Sequence, residues 1–290
     1  MQITVLGNVG SWYCAELERA GRERGHEVVR VDFRWLSATI GSSDSGSIAA
    51  TGTPLDSADA VIVRTMPPGS LEQVVFRMDA LARLEARGVT VLNPPKAIEC
   101  AVDKYLTTAR LAAAGLPVPE TVVCEDSEMA LAAFDRLGGD VVVKPIFGSE
   151  GRGIFRVSDP DLALRAFRAL DRIQAVLYLQ RTIPHEGFDV RVLVLDGEIL
   201  GGMKRRGDGD FRTNVSRNGK GEPHDVTDAE RDLALRAAAV TGARFAGIDL
   251  LYDRGGTCYV IEVNAVPGWR AFQRVTGHDV AAHVIAALDG

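Results

Sequence analysis

The chain has 290 residues, of which 46% are hydrophobic and 25% are charged, as in ordinary soluble globular proteins. This composition excludes a disordered or collagen-like chain, and no stretch is apolar for long enough to predict a transmembrane helix. A formal net charge of −6 argues against a protein that binds nucleic acid by neutralising its phosphates. Residues 1–6 have the pattern of a strand rather than of a signal peptide, so we expect a cytoplasmic protein without a membrane partner.

Strands and helices alternate through residues 1–95. Short apolar runs predict strands at residues 3–6, 28–32, 60–64 and 89–92. The box Ser70-x-x-Gln73 begins a helix whose apolar face starts at Leu71 and includes Val75, while the Gly- and Ser-rich segment 41–53 is predicted to be a loop. The alternation predicts an α/β fold with an open, mostly parallel sheet.

The segment Asn93-Pro94-Pro95 interrupts this pattern and marks a first domain boundary. One helix is predicted to follow and to end at Gly115. Residues 117–183 have the order strand, helix, strand, loop, strand, helix, strand, which indicates a small α+β subdomain. The predicted parts are therefore 1–95, 96–183 and 184–290.

The last part has the pattern of an antiparallel sheet. Asp196-Gly197 indicates one hairpin turn, and residues 254–256 (Arg-Gly-Gly) indicate a second. Thr227-x-x-Glu230 is another capping box, which begins a helix.

The cysteines are widely spaced and form no Cys-x-x-Cys pair, and no His-Glu-x-x-His motif is present. Neither a zinc site nor a redox motif is therefore supported. We expect Cys14, Cys100, Cys124 and Cys258 to be reduced, mostly buried thiols.

A glycine-rich segment, residues 148–153 (Gly-Ser-Glu-Gly-Arg-Gly), lies between two predicted strands. Glycines allow backbone N–H groups to approach a phosphate closely. It is no Walker A loop, because no Gly-Lys-Ser/Thr follows. The segment is either a flexible hairpin or a flap over phosphates, for which Lys144 would add a cation.

Three oxygen-bearing side chains occupy one face of the last predicted hairpin. A two-residue turn at Gly255-Gly256 would place Asp249 directly opposite Glu262, and Asn264 shares their face. Opposed like charges destabilise a sheet unless a cation lies between them, and such ligands suit Mg²⁺ or Mn²⁺. The alternative is a solvated polar face, but the flanking residues are apolar.

Basic residues are concentrated in residues 204–220 of this net-acidic chain, after the predicted strand 198–203. They are Lys204, Arg205, Arg206, Arg212, Arg217 and Lys220. They form either a solvated loop or, beside a metal–phosphate site, a clamp for an anionic substrate.

From about Asp103 onward, the ordered set of motifs resembles the ATP-grasp ligases and, within them, the RimK-like α-L-glutamate ligases. The set comprises Asp103-Lys104, Val143-Lys144-Pro145, the glycine-rich segment, Gln180-Arg181-Thr182-Ile183, Asp189-Val190-Arg191, Phe211-Arg212-Thr213-Asn214, Gly247-Ile248-Asp249, Glu262-Val263-Asn264 and Pro267-Gly268. Arg181 departs from the pattern, since the family usually has an acidic residue there. The resemblance implies an N-terminal pre-ATP-grasp substrate domain, a lid subdomain and a C-terminal catalytic subdomain.

The resemblance also implies a role for individual residues. ATP would contact Lys104, Lys144, Gly148, Ser149, Gly151, Gly153, Gln180, Ile183, Asp189 and Arg212, with Gln180 and Ile183 flanking adenine and Asp189 holding the ribose. Two Mg²⁺ or Mn²⁺ ions would be held by Asp249, Glu262 and Asn264. Arg205 and Arg212 would be catalytic, Arg205 on the acyl phosphate, and Arg64, Arg217 and Arg270 would contact substrate.

The implied reaction has two steps. A substrate carboxylate attacks the γ-phosphate of ATP, and the amine of L-glutamate then attacks the acyl phosphate to give an amide, ADP and phosphate. Residues 64–72 and 267–270 resemble a subgroup that acts on tetrahydromethanopterin- or furan-type one-carbon coenzymes.

Other acceptors remain open, namely a ribosomal-protein tail, citrate or an amino acid of lysine synthesis. A non-catalytic ATP-binding module of synapsin type is the alternative from another class. A homo-oligomer also remains open, because such assemblies are common among soluble enzymes.

Overall fold

The computed structural model describes residues 1–41, 46–148, 151–207 and 220–289. The predicted site residues Ser149, Arg212 and Arg217 lie outside these ranges. Among the described residues, every helix is too short or too polar to cross a membrane.

The N-terminal region contains a parallel sheet, as predicted. Its strands are β1 (Gln2–Leu6), β2 (Glu27–Val31), β6 (Ala60–Val63) and β7 (Thr90–Leu92), in the order β2-β1-β6-β7. The accompanying helices are α1 (Trp12–Glu23) and α2 (Leu71–Ala86). Both hydrogen bonds of the predicted capping box form between Ser70 and Gln73, which fixes the start of α2.

Two details of this region differ from the predictions. Residues 41–53 contain a strand, in which Ile48 and Ala50 are buried and Ala49 between them is only partly buried. That strand lies in a small antiparallel sheet of β3 (Leu36–Ala38), β4 (Ile48–Ala50) and β5 (Thr53–Pro54). On α2, Leu71 is 80% exposed and Val75 is 47% exposed, so the first turns of the helix contact the core through Val74 instead.

The single helix predicted after residue 95 is two helices, α3 (Pro95–Val102) and α4 (Lys104–Ala113). Asp103 separates them with an extended backbone, and its carboxylate accepts a hydrogen bond of 2.9 Å from the N–H of Leu106. Asp103 is thus an N-cap, and periodicity alone did not reveal it. As a consequence, Lys104 is the first residue of α4.

Residues 117–183, the predicted lid subdomain, have the predicted element order, and their sheet is called the lid sheet below. Its strands are β8 (Thr121–Cys124), β9 (Val141–Lys144), β10 (Phe155–Val157) and β11 (Leu177–Arg181), in the antiparallel order β10-β9-β11-β8. Helices α5 (Ser127–Arg136) and α6 (Pro160–Arg172) pack with this sheet through one apolar core.

The C-terminal part contains a five-stranded antiparallel sheet. Its strands are β12 (Phe188–Leu195), β13 (Glu198–Arg206), β14 (Lys220–His224), β15 (Phe245–Tyr252) and β16 (Cys258–Asn264), in the order β14-β13-β12-β15-β16. The helices are α7 (Asp228–Thr241), α8 (Arg270–Thr276) and α9 (Val280–Ala286). Thr227 and Glu230 form the second predicted capping box.

Asp249 lies opposite Glu262, as predicted, but the register has a different origin. The turn is longer than two residues, because the N–H of Asp253 donates to the carbonyl of Thr257 at 3.0 Å. A β-bulge at Ile261 then corrects the register by one residue, so that Asp249 and Glu262 pair while Leu250 pairs with Val260.

The parts of the chain share cores that sequence patterns did not reveal. Helix α1 packs against α9, and one cluster joins Ile3 and Leu17 to Trp269 and Phe272. The division at residues 95 and 183 therefore stays a prediction. All four cysteines are free and at least partly buried, which confirms the expected thiols.

Candidate active site

A cleft of about 630 Å³ is lined by the lid sheet, by α4 and by strands β15 and β16. It collects predicted ATP and metal residues that are far apart in sequence. They are Lys104, Lys144, Gln180, Ile183, Asp189, Asp249 and Glu262. A volume of this size suits a nucleotide-sized ligand.

Lys144 ends β9 with its ammonium group buried in the cleft wall. Its Nζ donates to Oε1 of Gln180 at 2.6 Å, and Nε2 of Gln180 donates to the hydroxyl of Thr121 at 3.0 Å. Burial lowers the pKa of Lys144 to about 8, against the opposing effect of Glu262. The side chain of Gln180 thus orients a lysine, whereas the resemblance implies that Gln180 flanks adenine.

If Lys144 binds a phosphate of ATP, as the sequence predicts, its pKa of about 8 should make nucleotide affinity sensitive to pH. Above about pH 8 the free protein loses the proton that an anionic phosphate needs, so we expect the Kd for ATP to rise by up to about tenfold per pH unit. Isothermal titration between pH 7 and 9.5 measures this. Lys144→Arg stays protonated and should remove the dependence. An equal pH dependence in both proteins would contradict the assignment.

Lys104 connects α4 to the glycine-rich segment. Its Nζ donates to the carbonyl of Gly148 at 2.9 Å, and its backbone N–H donates to the carbonyl of Ile146 at 3.3 Å. The backbone φ angles are 150° at Gly148, 69° at Gly151 and 73° at Gly153, values that side chains disfavour. Glycine at these three positions is therefore a backbone requirement.

Asp249 is buried and is already neutralised by two arginines. Nε and Nη2 of Arg191 donate to its two oxygens at 2.7 Å each, and Nη2 of Arg205 lies 2.9 Å from Oδ2. Burial alone would raise the pKa of Asp249, but the two guanidinium groups outweigh it and lower the pKa. The opposition of Asp249 and Glu262 is thus relieved in part by protein cations, contrary to the argument that it alone requires a metal.

Glu262 differs from its neighbour, since its side chain forms no hydrogen bond or ion pair with any residue that the structure describes. It faces the cleft that also contains Lys104 and Lys144. Asn264 ends β16, and its Oδ1 accepts the N–H of Val266 at 2.9 Å.

The donor set fits a divalent cation in chemistry. Two carboxylates and an amide on paired strands are hard oxygen ligands of the kind that Mg²⁺ prefers. Within the described part of the chain, no group of three His, Cys, Asp or Glu residues could hold a metal alone. A cation bound here therefore needs oxygens from another source, such as phosphates.

Arg205 bridges two acidic residues behind the cleft. Its Nε and Nη2 donate to Asp189 at 2.7 and 2.6 Å, it also contacts Asp249, and its side chain is only 3% exposed. It does not line the cleft. The roles implied for Arg205 on the acyl phosphate and for Asp189 on the ribose stay predictions, since the two side chains are engaged with each other here.

The sequence suggested that the basic residues lie in one loop, but several of them lie in strands. Lys204, Arg205 and Arg206 lie in strand β13, so Arg205 points to the opposite face from the other two. Nζ of Lys204 lies 3.7 Å from the ring centroid of Phe188, and Arg206 pairs with Glu222 at 3.7 Å.

Two of the predicted acceptor contacts, Arg64 and Arg270, are not among the residues that line the cleft, and Arg217 lies outside the described residues. Arg64 is buried, and its Nη2 donates to the carbonyl of Pro267 at 2.8 Å. Its guanidinium carbon lies 4.2 Å from the ring centroid of Trp269, while that of the exposed Arg270 lies 5.5 Å from the ring of Trp12.

Sequence reasoning did not assign some residues that the structure places at the site. Arg191 binds Asp249. Its position could have been inferred, because Asp189 and Arg191 are two residues apart on one predicted strand and therefore share a face. Arg156 and Arg254 line the cleft, but nothing in their local sequence indicated it.

Comparison with protein families covers nearly the whole chain. A model described as the RimK PreATP-grasp domain matches residues 1–98, and one described as the RimK-like ATP-grasp domain matches residues 101–288.

Similar curated proteins are ligases. The chain is 33% identical to the tetrahydromethanopterin:alpha-L-glutamate ligase of Methanosarcina acetivorans, over 96% of this chain and 95% of that protein. It is 32% identical to a ribosomal protein bS6–L-glutamate ligase of Escherichia coli, over 100% of this chain and 96% of that protein.

Similar solved structures have the same fold. The ATP-grasp ligase PsnB, complexed with a minimal precursor, superposes with a TM-score of 0.78 at 25% identity, over 99% of this chain and 98% of that one. A RimK domain protein from Sphaerobacter thermophilus superposes with a TM-score of 0.77 at 24% identity, over the full length of both chains.

Proposed function

Because the chain belongs to the RimK-like ATP-grasp family, whose ligases form C–N bonds with ATP, we propose that it joins L-glutamate to a carboxylate acceptor. The observation that carries the proposal is the cleft itself. Two lysines, Lys104 and Lys144, line the same cleft as the carboxylate of Glu262. Cations for phosphates and an unpaired carboxylate for a metal are the parts that phosphoryl transfer from ATP needs.

In this proposal, the chain's own side chains bind and align the reactants. Lys144, held by Gln180, and Lys104, at the base of the glycine-rich segment, bind the phosphates of ATP. Ile183 also lines the cleft, and the adenine base of ATP would lie beside it. The cleft walls exclude water from the acyl phosphate, and no protein nucleophile is needed.

A divalent cation, Mg²⁺ or Mn²⁺, would be held by Asp249, Glu262 and Asn264. When bound, it would neutralise negative charge on the transferring phosphoryl group. Arg191 and Arg205 keep Asp249 ionised and fixed in direction. Glu262, which has no partner among the described residues, is free to bind. The presence of two ions is part of the proposal.

The acceptor in this proposal is a small molecule that bears a carboxylate, such as a tetrahydromethanopterin- or furan-type coenzyme. The first support is the similarity to the Methanosarcina ligase over nearly its whole length. A ribosomal-protein tail is the second candidate, since a bS6 ligase is almost equally similar. Arg64, Arg217 and Arg270 are the proposed substrate contacts.

One assay separates these candidates. The purified chain is given ATP, Mg²⁺ and L-glutamate with each acceptor in turn, and ADP release and the amide product are both measured. We expect both with the coenzyme acceptor. ADP release with a bS6 tail alone would favour the second candidate, and none with any acceptor would favour a non-catalytic ATP-binding module.

The amine substrate gives a further test of the proposal. Glutamate brings two carboxylates into a site that already holds phosphates, so the protein must supply counter-charges, and arginine suits carboxylates. We expect glutamate to react at least about tenfold faster than glutamine, the loss of one charged hydrogen bond being about 1.5–3 kcal/mol. Aspartate and alanine serve as controls for chain length and charge. An equal rate of amide formation with glutamine and with glutamate would contradict the assignment of glutamate as the amine substrate, but not the assignment to the ATP-grasp ligases.

A further inference from the structure

Arg64 is a buried cation without an acidic partner among the described residues. Its guanidinium donates once, to the carbonyl of Pro267, and its Nε has no hydrogen-bond partner within the described ranges. Burial lowers its pKa to about 10. A neutral side chain would fill this space at less cost, because burying an unpaired charge is strongly unfavourable.

The surroundings of Arg64 contain a second unused donor. The guanidinium stacks on Trp269, which is fully buried, and lies 4.9 Å from the ring centroid of Tyr13. Nε1 of Trp269 is also without a partner among the described residues. Aromatic faces stabilise the cation in part, but they leave both N–H donors unsatisfied.

The topology puts Arg64 at a place where open α/β sheets bind ligands. The chain leaves β1 toward β2 on one side and returns to β6 on the other, so the carboxyl ends of β1 and β6 form a topological switch point. Arg64 directly follows β6, and its N–H donates to the carbonyl of Leu6 at 2.8 Å. Gly7 follows β1, and a Cβ there would lie 3.6 Å from that of Arg64.

We propose that Arg64 and Trp269 form a subsite for a substrate carboxylate, which supplies the counter-charge that the protein itself lacks. The inference rests on the proposed function, whose two organic substrates both carry carboxylates. Residues 8–10, which directly follow Gly7 at the end of β1, are exposed. Arg270, exposed over the ring of Trp12, adds positive charge at the surface.

Trp269 provides a direct readout of this subsite. The chain has three tryptophans, so the double variant Trp12→Phe/Trp35→Phe leaves Trp269 as the only indole. Its emission is recorded without ATP during titration with N-acetyl-L-glutamate, L-glutamate and the neutral analogue glutaramide. We expect a saturable change with a carboxylate probe and none with glutaramide.

The probes also identify the source of the carboxylate. N-acetyl-L-glutamate has no free amine and stands for the acceptor, whereas L-glutamate is the amine substrate. Binding of the first alone assigns the subsite to the acceptor, and binding of the second alone assigns it to glutamate. Arg64→Met should weaken binding at least tenfold, while Arg64→Lys, which keeps the charge, should lose less.

Two results would overturn the proposal. One is an affinity that is unchanged in Arg64→Met. The other is an equal response to glutaramide, a measurement that stands even if Arg64→Met does not fold. Because the titration contains no ATP, a protein that binds carboxylates at Arg64 but never releases ADP would contradict only the proposed ligase activity.

Discussion

Replacing Glu262 with glutamine is expected to reduce ATP-dependent amide formation by about a thousandfold or more, because a bound divalent cation supplies several kcal/mol of transition-state stabilisation. The substitution keeps the size of the side chain and removes one charge. Glu262 has no hydrogen bond or ion pair with the described residues, so its replacement strands no partner. Stability should therefore change by less than about 0.5 kcal/mol.

The measurements are ADP release, thermal unfolding and Mn²⁺ binding in the presence of ADP. Glu222→Gln is a matched control, because Glu222 is half exposed and pairs only loosely with Arg206. It should keep wild-type activity. A wild-type kcat in Glu262→Gln would remove this residue from the metal site, whatever the binding data show.

Replacing Arg205 with leucine should cost about 3–5 kcal/mol of stability, the largest loss that we expect from one side chain. Arg205 is almost fully buried between Asp189 and Asp249. Its removal leaves Asp189 without its bidentate partner and Asp249 with Arg191 alone. Urea denaturation measures the loss.

Arg206→Leu is the matched control on the same strand, since that side chain is half exposed, and it should change stability by less than about 1 kcal/mol. Arg205→Lys separates structure from chemistry. Lysine keeps the charge but cannot form the two parallel hydrogen bonds that a guanidinium group donates to a carboxylate. If Arg205→Lys has wild-type stability but no turnover, Arg205 also acts on the reactants. An unchanged urea midpoint in Arg205→Leu would show that the ion pairs of Arg205 with Asp189 and Asp249 do not stabilise the fold.

The sequence predicted much of this architecture because its signals are local. The alternation in residues 1–95, the two capping boxes and the order of elements in the lid depend on neighbouring residues only. The order of the motifs predicted some of the residues that line the cleft, among them Lys104, Lys144 and Glu262, but not Arg156 or Arg254. The placement of the predicted residues in one cleft, from Lys104 to Glu262, agrees with that order.

What the sequence did not reveal depends on contacts between distant strands. Arg191 and Arg205 meet Asp249 only because β12 lies between β13 and β15. The pairing of Asp249 with Glu262 was predicted from a two-residue turn, although a longer turn and a bulge at Ile261 together produce it. The apolar periodicity predicted one continuous helix, but Asp103 divides it into α3 and α4.

The apolar core that joins the two ends of the chain has a consequence for biosynthesis. Ile3 and Leu17 are synthesised long before Phe272 and Ile285, with which they pack. Because synthesis runs from the N-terminus to the C-terminus, this face of the N-terminal sheet stays uncovered until Phe272 and Ile285 have been synthesised. A chain truncated after residue 95 would therefore expose the apolar residues Ile3 and Leu17, and we expect it to be recognised by chaperones and proteases as incompletely folded.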